Sequence, residues 1–333
     1  MHKIVVSPIA LAAALCCAAP CPPAAADEVS AGEVVTAIEG AFGVNPGQRR
    51  NHTKGTCAVG EFVGSQEAAR YSRSALFSGA AVPVVARFSL AGGNPQAPDT
   101  AKSARGMALE FRLPQGQLQH ITMLNTPLFG AATPRTFLDM MTAMRPDPAT
   151  GKPDPERIRA FKASHPDNAA QAQFLDSHNP PASYASSAYF GIHTFRFIDR
   201  NDRTTLVRWR FVPQDGEKRL SDEEMKSAGP NLLEPVLIAR MRGGPVRWDM
   251  LVSVGEAGDP ADDPTQAWPE TRRQFKAGTL TLSAAMPQKG AACEAINYDP
   301  LVMADGIAPT DDPVLRFRSP AYALSFAKRL GGM

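Results

Sequence analysis

The sequence predicts an α+β fold built on an antiparallel eight-stranded β-barrel with flanking helices, and three observations lead there. Eight segments carry strand patterning, at 57–63, 82–90, 106–113, 118–124, 189–198, 204–212, 246–254 and 279–284. Most alternate apolar and polar positions and are rich in β-branched or aromatic residues. Their connections are mostly short and no helix separates them regularly, which favours antiparallel closure over a parallel sheet with crossover helices. Helical spacing is confined to a few segments that would pack on the barrel. Phe137, Leu138, Met141 and Met144 mark 135–144, and Leu233, Val236, Leu237 and Met241 mark 232–242.

Taken in chain order, Met1-His2-Lys3 leads into an apolar run over 4–19 and then to Pro22-Pro23-Ala24-Ala25-Ala26. A charged start, a short apolar stretch and a small-x-small site are what an export leader needs, so 1–26 is expected to be a signal peptide cleaved before Asp27. Cys16 and Cys21 follow Leu15 and Pro20 instead of a small residue, which makes a lipoprotein anchor the lesser reading. Residues 27–333 are expected to form one soluble domain, periplasmic or secreted, because no later stretch approaches the roughly 20 apolar residues of a membrane helix. Leu206-Val207-Arg208-Trp209-Arg210-Phe211 gives the clearest strand alternation. The Pro-rich stretch 146–181 reads as an excursion over the surface, and the segment from Arg318 to Arg329 reads as a terminal helix.

With 35 basic and 33 acidic residues the formal charge is +2, which gives no reason to expect nucleic acid or another polyanion as partner. Outside the expected leader two cysteines remain, Cys57 and Cys293. A disulfide and two buried free thiols are both open, since sequence supplies no distance between them.

The common catalytic signatures are missing. His120, His165, His178 and His193 are scattered, without His-Glu-x-x-His or Cys-x-x-Cys, which argues against zinc. Neither a Gly-x-Gly-x-x-Gly, a phosphate loop nor a Gly-x-Ser-x-Gly is present. Two constellations remain. Arg49-Arg50-Asn51-His52-Thr53-Lys54-Gly55 enters a strand and is followed one strand later by Ala86-Arg87-Phe88-Ser89. Arg318-Ser319-Pro320-Ala321-Tyr322 lies near the chain end, with Arg318 and Tyr322 on one helical face. Taken alone, the first would be a surface histidine among basic residues and the second an ordinary pair on a terminal helix.

Together these residues resemble the haem catalases, and specifically their short catalase-related peroxidase branch. The resemblance runs through His52-Thr53-Lys54-Gly55, Arg87-Phe88-Ser89, Asp99-Thr100, Arg105-Gly106, Asn125-Thr126-Pro127, Gly191-Ile192-His193-Thr194-Phe195 and Gly306-Ile307-Ala308-Pro309. It implies a catalase-like barrel whose C-terminal helix carries the haem ligand. The cofactor would be haem b (iron protoporphyrin IX), with Tyr322 as the iron's only protein ligand. Arg318 would place a positive charge beside that oxygen, with His193 and Asp312 behind it; His193 as a packed core histidine is equally open. His52 would be the distal acid/base, held by Ser89. Arg49, Arg87 and Arg329 match positions that pair with haem propionates, and Phe137 matches a ring that packs on the porphyrin.

The departures shape the expected activity. Leu124-Asn125-Thr126-Pro127 puts Leu124 where large catalases carry a distal amide, and leaves Asn125 as the candidate catalytic amide. Asn51 replaces an apolar residue, which implies a more polar distal pocket. The long C-terminal domain and N-terminal arm of large catalases are not represented, which implies an accessible haem and a monomer or homodimer. These differences imply a peroxidase acting on hydrogen peroxide and organic hydroperoxides with an external electron donor, and weak or no catalase activity. A hydroperoxide isomerase on the same scaffold, a non-enzymatic haem-binding protein and a haem-free barrel for apolar ligands are the alternatives.

Overall fold

The computed structural model describes residues 28–333; the expected leader, 1–26, lies outside them. The strands are β1 (Gly55–Gly64), β2 (Ala81–Leu90), β3 (Arg105–Arg112), β4 (Leu118–Leu124), β5 (Tyr189–Phe190), β6 (Phe195–Ile198), β7 (Thr204–Pro213), β8 (Val246–Val254), β9 (Gln274–Pro287) and β10 (Ile307–Pro309). The longer helices are α1 (Ala31–Phe42), α2 (Pro134–Ala143), α3 (Pro155–Ser164), α4 (Ala169–Ser177), α5 (Leu233–Arg242) and α6 (Pro313–Leu330). No helix among the described residues is long and apolar enough to cross a membrane.

All pairings are antiparallel and close on themselves in the order β1, β2, β3, β4, β5, β7, β8, β9 and back to β1. This is the expected eight-stranded barrel, and closure removes the exposed edges that an open sheet would carry. The expected strand 189–198 is divided into β5 and β6, both paired with β7. Between them the chain leaves the ladder. Gly191 is pressed against Trp209, where an added Cβ would lie 2.4 Å from the indole Nε1, and His193 is drawn away to the start of α6.

Strand alternation fills the barrel with aromatic side chains. Val207, Trp209 and Phe211 of β7 point inward and are buried, meeting Phe62, Phe88, Phe111 and Trp248 in one cluster. Phe62 and Phe111 meet edge to face with centroids 5.5 Å apart. Each such ring contributes about 1.5–3 kcal/mol through burial.

The outer face of β2–β4 is covered as well, which is unusual for an antiparallel sheet and locates the site. Cross-strand register aligns Ser89, Gly106 and Leu124 in one row and Arg87, Ala108 and Thr122 in the next. Three helices roof this face. A capping box starts α1: Ser30 Oγ accepts from the Glu33 N–H, and the Glu33 carboxylate accepts from the Ser30 N–H. Val34 and Ile38 of α1 then pack with Met141 and Phe137 of α2 and Phe317 of α6. Asp312 caps α6, its Oδ1 accepting from the Val314 and Leu315 N–H groups at 2.8 and 3.1 Å. A Cys57–Cys293 disulfide, with Cα atoms 5.6 Å apart, ties β1 to the short helix Ala292–Ala295.

Candidate functional site

Between the two outward rows and the helices lies a cavity of about 230 Å³. Its walls include Arg49, Arg87, Arg329, His52, Ser89, Leu124, Phe137, Arg318 and Tyr322. The two constellations, separated by almost the whole sequence, therefore share one space.

His52 stands at the entry to β1 in a left-handed conformation, φ +54°, which a non-glycine residue adopts only when its surroundings impose it. Its Nδ1 lies 2.9 Å from Ser89 Oγ, and its carbonyl accepts from Arg87 Nη2 at 2.7 Å. Burial, then the charges of Arg87, Arg318 and Arg49, push the imidazole down to about 3. The ring is therefore neutral at ordinary pH, with one nitrogen free to take a proton. Gly106 makes room for it: a Cβ there would fall 2.7 Å from Ser89 Oγ and 3.1 Å from His52 Nδ1.

On α6, Arg318 and Tyr322 are one turn apart, and Arg318 Nη2 donates to the Tyr322 phenol oxygen at 2.7 Å. The same nitrogen donates to Thr122 Oγ1 at 2.8 Å, and Nη1 lies 3.1 Å from His193 Nε2. His193 Nδ1 is 2.6 Å from Asp312 Oδ2, and both residues are about 1% exposed. Burial outweighs the Asp312 contact and lowers the His193 pKa, so the neutral ring donates from Nδ1 to Asp312 and accepts at Nε2 from Arg318. The chain Asp312, His193, Arg318, Tyr322 is continuous, which decides between the two readings of His193.

Three guanidinium groups gather along the cavity. Arg49 donates to the Cys293, Glu294 and Ile296 carbonyls, and Arg87 donates to Gln288 Oε1 and the His52 and Thr53 carbonyls. Arg329 packs over the Phe326 ring, with Nη1 buried and without a hydrogen-bond partner. Among the described residues none of the three is in an ion pair with a carboxylate. Burial first, then Arg87 and Arg329, bring Arg49 down to about 8, and burial brings Arg87 to about 10. This is a concentration of positive charge short of its anion.

Two sequence expectations need correction. Asn125 is not brought to the cavity: its Oδ1 accepts from the buried Arg105 N–H at 2.7 Å, and its own N–H donates to the Arg105 carbonyl at 2.8 Å. Alternation at the end of β4 puts Leu124 on the cavity side and turns Asn125 away. Asn51 does line the cavity, but its amide oxygen is taken up by the backbone N–H groups of His52 and Gly92, so it adds less polarity than expected. Sequence reasoning also missed walls. Val34, Val35 and Ile38 of α1 line the cavity with Phe129 and Phe317. The Ser30/Glu33 capping box followed by a helically spaced apolar face was the available signal for α1; Phe129, in a loop, carried none.

The catalase family model matches residues 46–333. A catalase-related peroxidase of Synechococcus elongatus is 60% identical over 309 residues, covering 93% of this chain and 91% of the relative. A second catalase-related peroxidase, from Mycolicibacterium paratuberculosis, is 35% identical over 300 residues, covering 90% and 94%. Among solved structures, a bacterial catalase superposes with a TM-score of 0.79 at 25% identity, over 86% of this chain and 58% of that one. The match of the family model over most of the sequence, on a barrel shared with solved catalases, places the chain in the catalase family.

Proposed function

We propose that this chain is an exported haem peroxidase that reduces hydrogen peroxide and organic hydroperoxides with electrons from an external donor, with weak or no catalase activity. One observation carries the reading: a neutral, serine-held histidine and an arginine-backed tyrosine line the same cavity. The relatives named catalase-related peroxidase support the same reading.

The residues present fit haem b. Gly106 and Ala108, at the centre of the two rows, keep the cradle flat, and Phe129, Phe137, Phe317 and Phe326 supply apolar walls. Arg49, Arg87 and Arg329 form a cationic edge suited to two carboxylates. The described residues contain no cluster of three or more His, Cys, Asp or Glu able to hold a bare metal ion. Tyr322, a single oxygen donor with Arg318 Nη2 at 2.7 Å, would hold the iron of a haem, which brings the porphyrin's own nitrogen donors. Bound haem would supply the redox chemistry at iron.

The protein's part is proton handling and positioning. With its hydrogen on Nδ1 and directed at Ser89 Oγ, His52 takes a proton at Nε2 from the inner peroxide oxygen and returns it to the outer one. Protonated there, the outer oxygen can leave as water or an alcohol, the electrons for that cleavage being part of the redox chemistry that haem would supply and the external donor restore. Arg318 keeps a fixed positive charge beside the Tyr322 oxygen and is itself held by His193 and Thr122. Leu124 offers no donor to orient a second hydrogen peroxide, whereas it and the aromatic walls can accommodate an alkyl group. The Cys57–Cys293 bridge supports an oxidising compartment, in keeping with the expected leader.

The purified protein should carry a Soret band that changes in Tyr322→Phe. His52→Ala should keep the band and lose about 10²–10⁴-fold in hydroperoxide turnover. Fast oxygen release from hydrogen peroxide without oxidation of a dye reductant would overturn the peroxidase assignment. Rearranged hydroperoxide formed without reductant would identify an isomerase instead.

A further inference from the structure

We infer that Asn51 is the positioning residue that fixes His52 for proton transfer. The inference rests on the peroxidase reading of His52 and adds a residue that this reading does not require. Its basis is the way the β1–β2 ladder ends. Gly55 pairs with Ser89, the Leu90 N–H donates to the Lys54 carbonyl at 3.1 Å, and the Thr53 N–H donates to the Gly92 carbonyl at 3.2 Å. One residue further the backbone can no longer continue, because His52 has turned to φ +54°. The Gly92 N–H donates instead to Asn51 Oδ1 at 2.8 Å, and the His52 N–H donates to the same oxygen at 2.9 Å.

A side-chain carbonyl thus stands in for a main-chain acceptor and serves both strands at once. Asn and Asp are suited to this because their short side chains reach nearby N–H groups. The other side of His52 is pinned as well, since Arg87 donates to its carbonyl. With N–H and C=O both fixed, the direction in which the side chain leaves the backbone is set, and Ser89 Oγ, 2.9 Å from Nδ1, holds the ring. The part assigned to Asn51 is carried by its acceptor oxygen, which serves two backbone donors at His52 and Gly92. The charges facing the ring are those of Arg87, Arg318 and Arg49, and Asn51 adds none.

The test uses three loaded enzymes. Asn51→Leu keeps the side-chain size but deletes the acceptor; Asn51→Asp keeps the acceptor and adds a negative charge; His52→Ala removes the base. Each is assayed for its second-order reaction with a hydroperoxide and for its rate of binding cyanide, whose proton must go to the same imidazole. Asn51→Leu should retain the Soret band and slow both reactions by roughly 10–100-fold, the scale of a misplacement of about 1 Å. Asn51→Asp should recover most of both rates and move the acid limb of the pH profile upward, because a nearby anion stabilises the imidazolium. That shift reports the added charge; recovery of both rates by the retained acceptor, against their loss in Asn51→Leu at an unchanged Soret band and melting temperature, is what a purely structural role would not give.

Wild-type rates in Asn51→Leu beside a slow His52→Ala would overturn the inference and leave the peroxidase reading standing. A fast His52→Ala would sink that reading itself. If Asn51→Leu does not fold, Asn51→Asp decides alone: loss of both rates above the acid limb, with the Soret band retained, refutes positioning through the Oδ acceptor.

Discussion

At Arg318 one guanidinium serves three partners on three elements: Tyr322 on α6, Thr122 on β4 and His193 in the break between β5 and β6. A lysine could not reproduce that planar fork, so Arg318→Lys is not conservative here. His52 illustrates the opposite device, a group kept uncharged. Its folded pKa is depressed to about 3 by burial first and by Arg87, Arg318 and Arg49 next, whereas an unfolded imidazole titrates near 6.5. Below about 6.5 the unfolded chain therefore binds a proton that the folded chain refuses, and stability falls as pH drops from there towards about 3. Above that window this contribution does not vary. Thermal melting followed across the window should show the decline in the wild type and a shallower one in His52→Gln, which cannot titrate. Identical slopes in the two proteins would remove His52 as the source.

Among the elements, strand alternation was the most legible feature, because barrel closure makes one face of every strand apolar. Val207, Trp209 and Phe211 are buried as their spacing predicts. The division of 189–198 was not legible, since Ile192 and Thr194 suit a strand and the pull on His193 comes from Asp312, 119 residues away. Asn125 was misread for a related reason: a motif preserves order along the chain, but the face a residue takes is set by pairing with the next strand. The site residues that were legible came from motif order, and their meeting in one cavity is a property of the barrel. The disulfide gives a prediction at this scale. Cys57 and Cys293 close a sequence separation of 236 residues and steady the carbonyls at 293, 294 and 296 that hold Arg49. Losing the bridge should cost about 2–4 kcal/mol and lower Tm by roughly 5–15 °C. Melting Cys57→Ser/Cys293→Ser beside the wild type checks this, and an unchanged Tm would show that the bridge does not constrain the unfolded chain.

Across the whole molecule, the cavity is assembled from α1, the 49–52 segment, β2–β4, α2, residues 192–193 and 297–298, and α6. A ligand that fills it contacts elements from both ends of the described chain, so binding free energy becomes folding stability. At a ligand concentration of 1,000 times Kd this amounts to about 4 kcal/mol. Part of the gain should be electrostatic. Arg49, Arg87 and Arg329 crowd one another with Glu294 as a shared carboxylate neighbour but no close ion pair, and the Arg329 Nη1 has no acceptor. Two propionates would relieve that repulsion and satisfy the buried donor, whereas esterified propionates would bring the same apolar ring without the charge. Reconstitution with haem should therefore raise Tm more than reconstitution with haem dimethyl ester. Arg329→Met should narrow the gap, because it removes one of the cations that distinguish the two ligands. Added salt should narrow it only slightly, since buried charges are weakly screened. Equal thermal shifts for the acid and the ester would mean that the arginines serve the fold and not the cofactor's carboxylates.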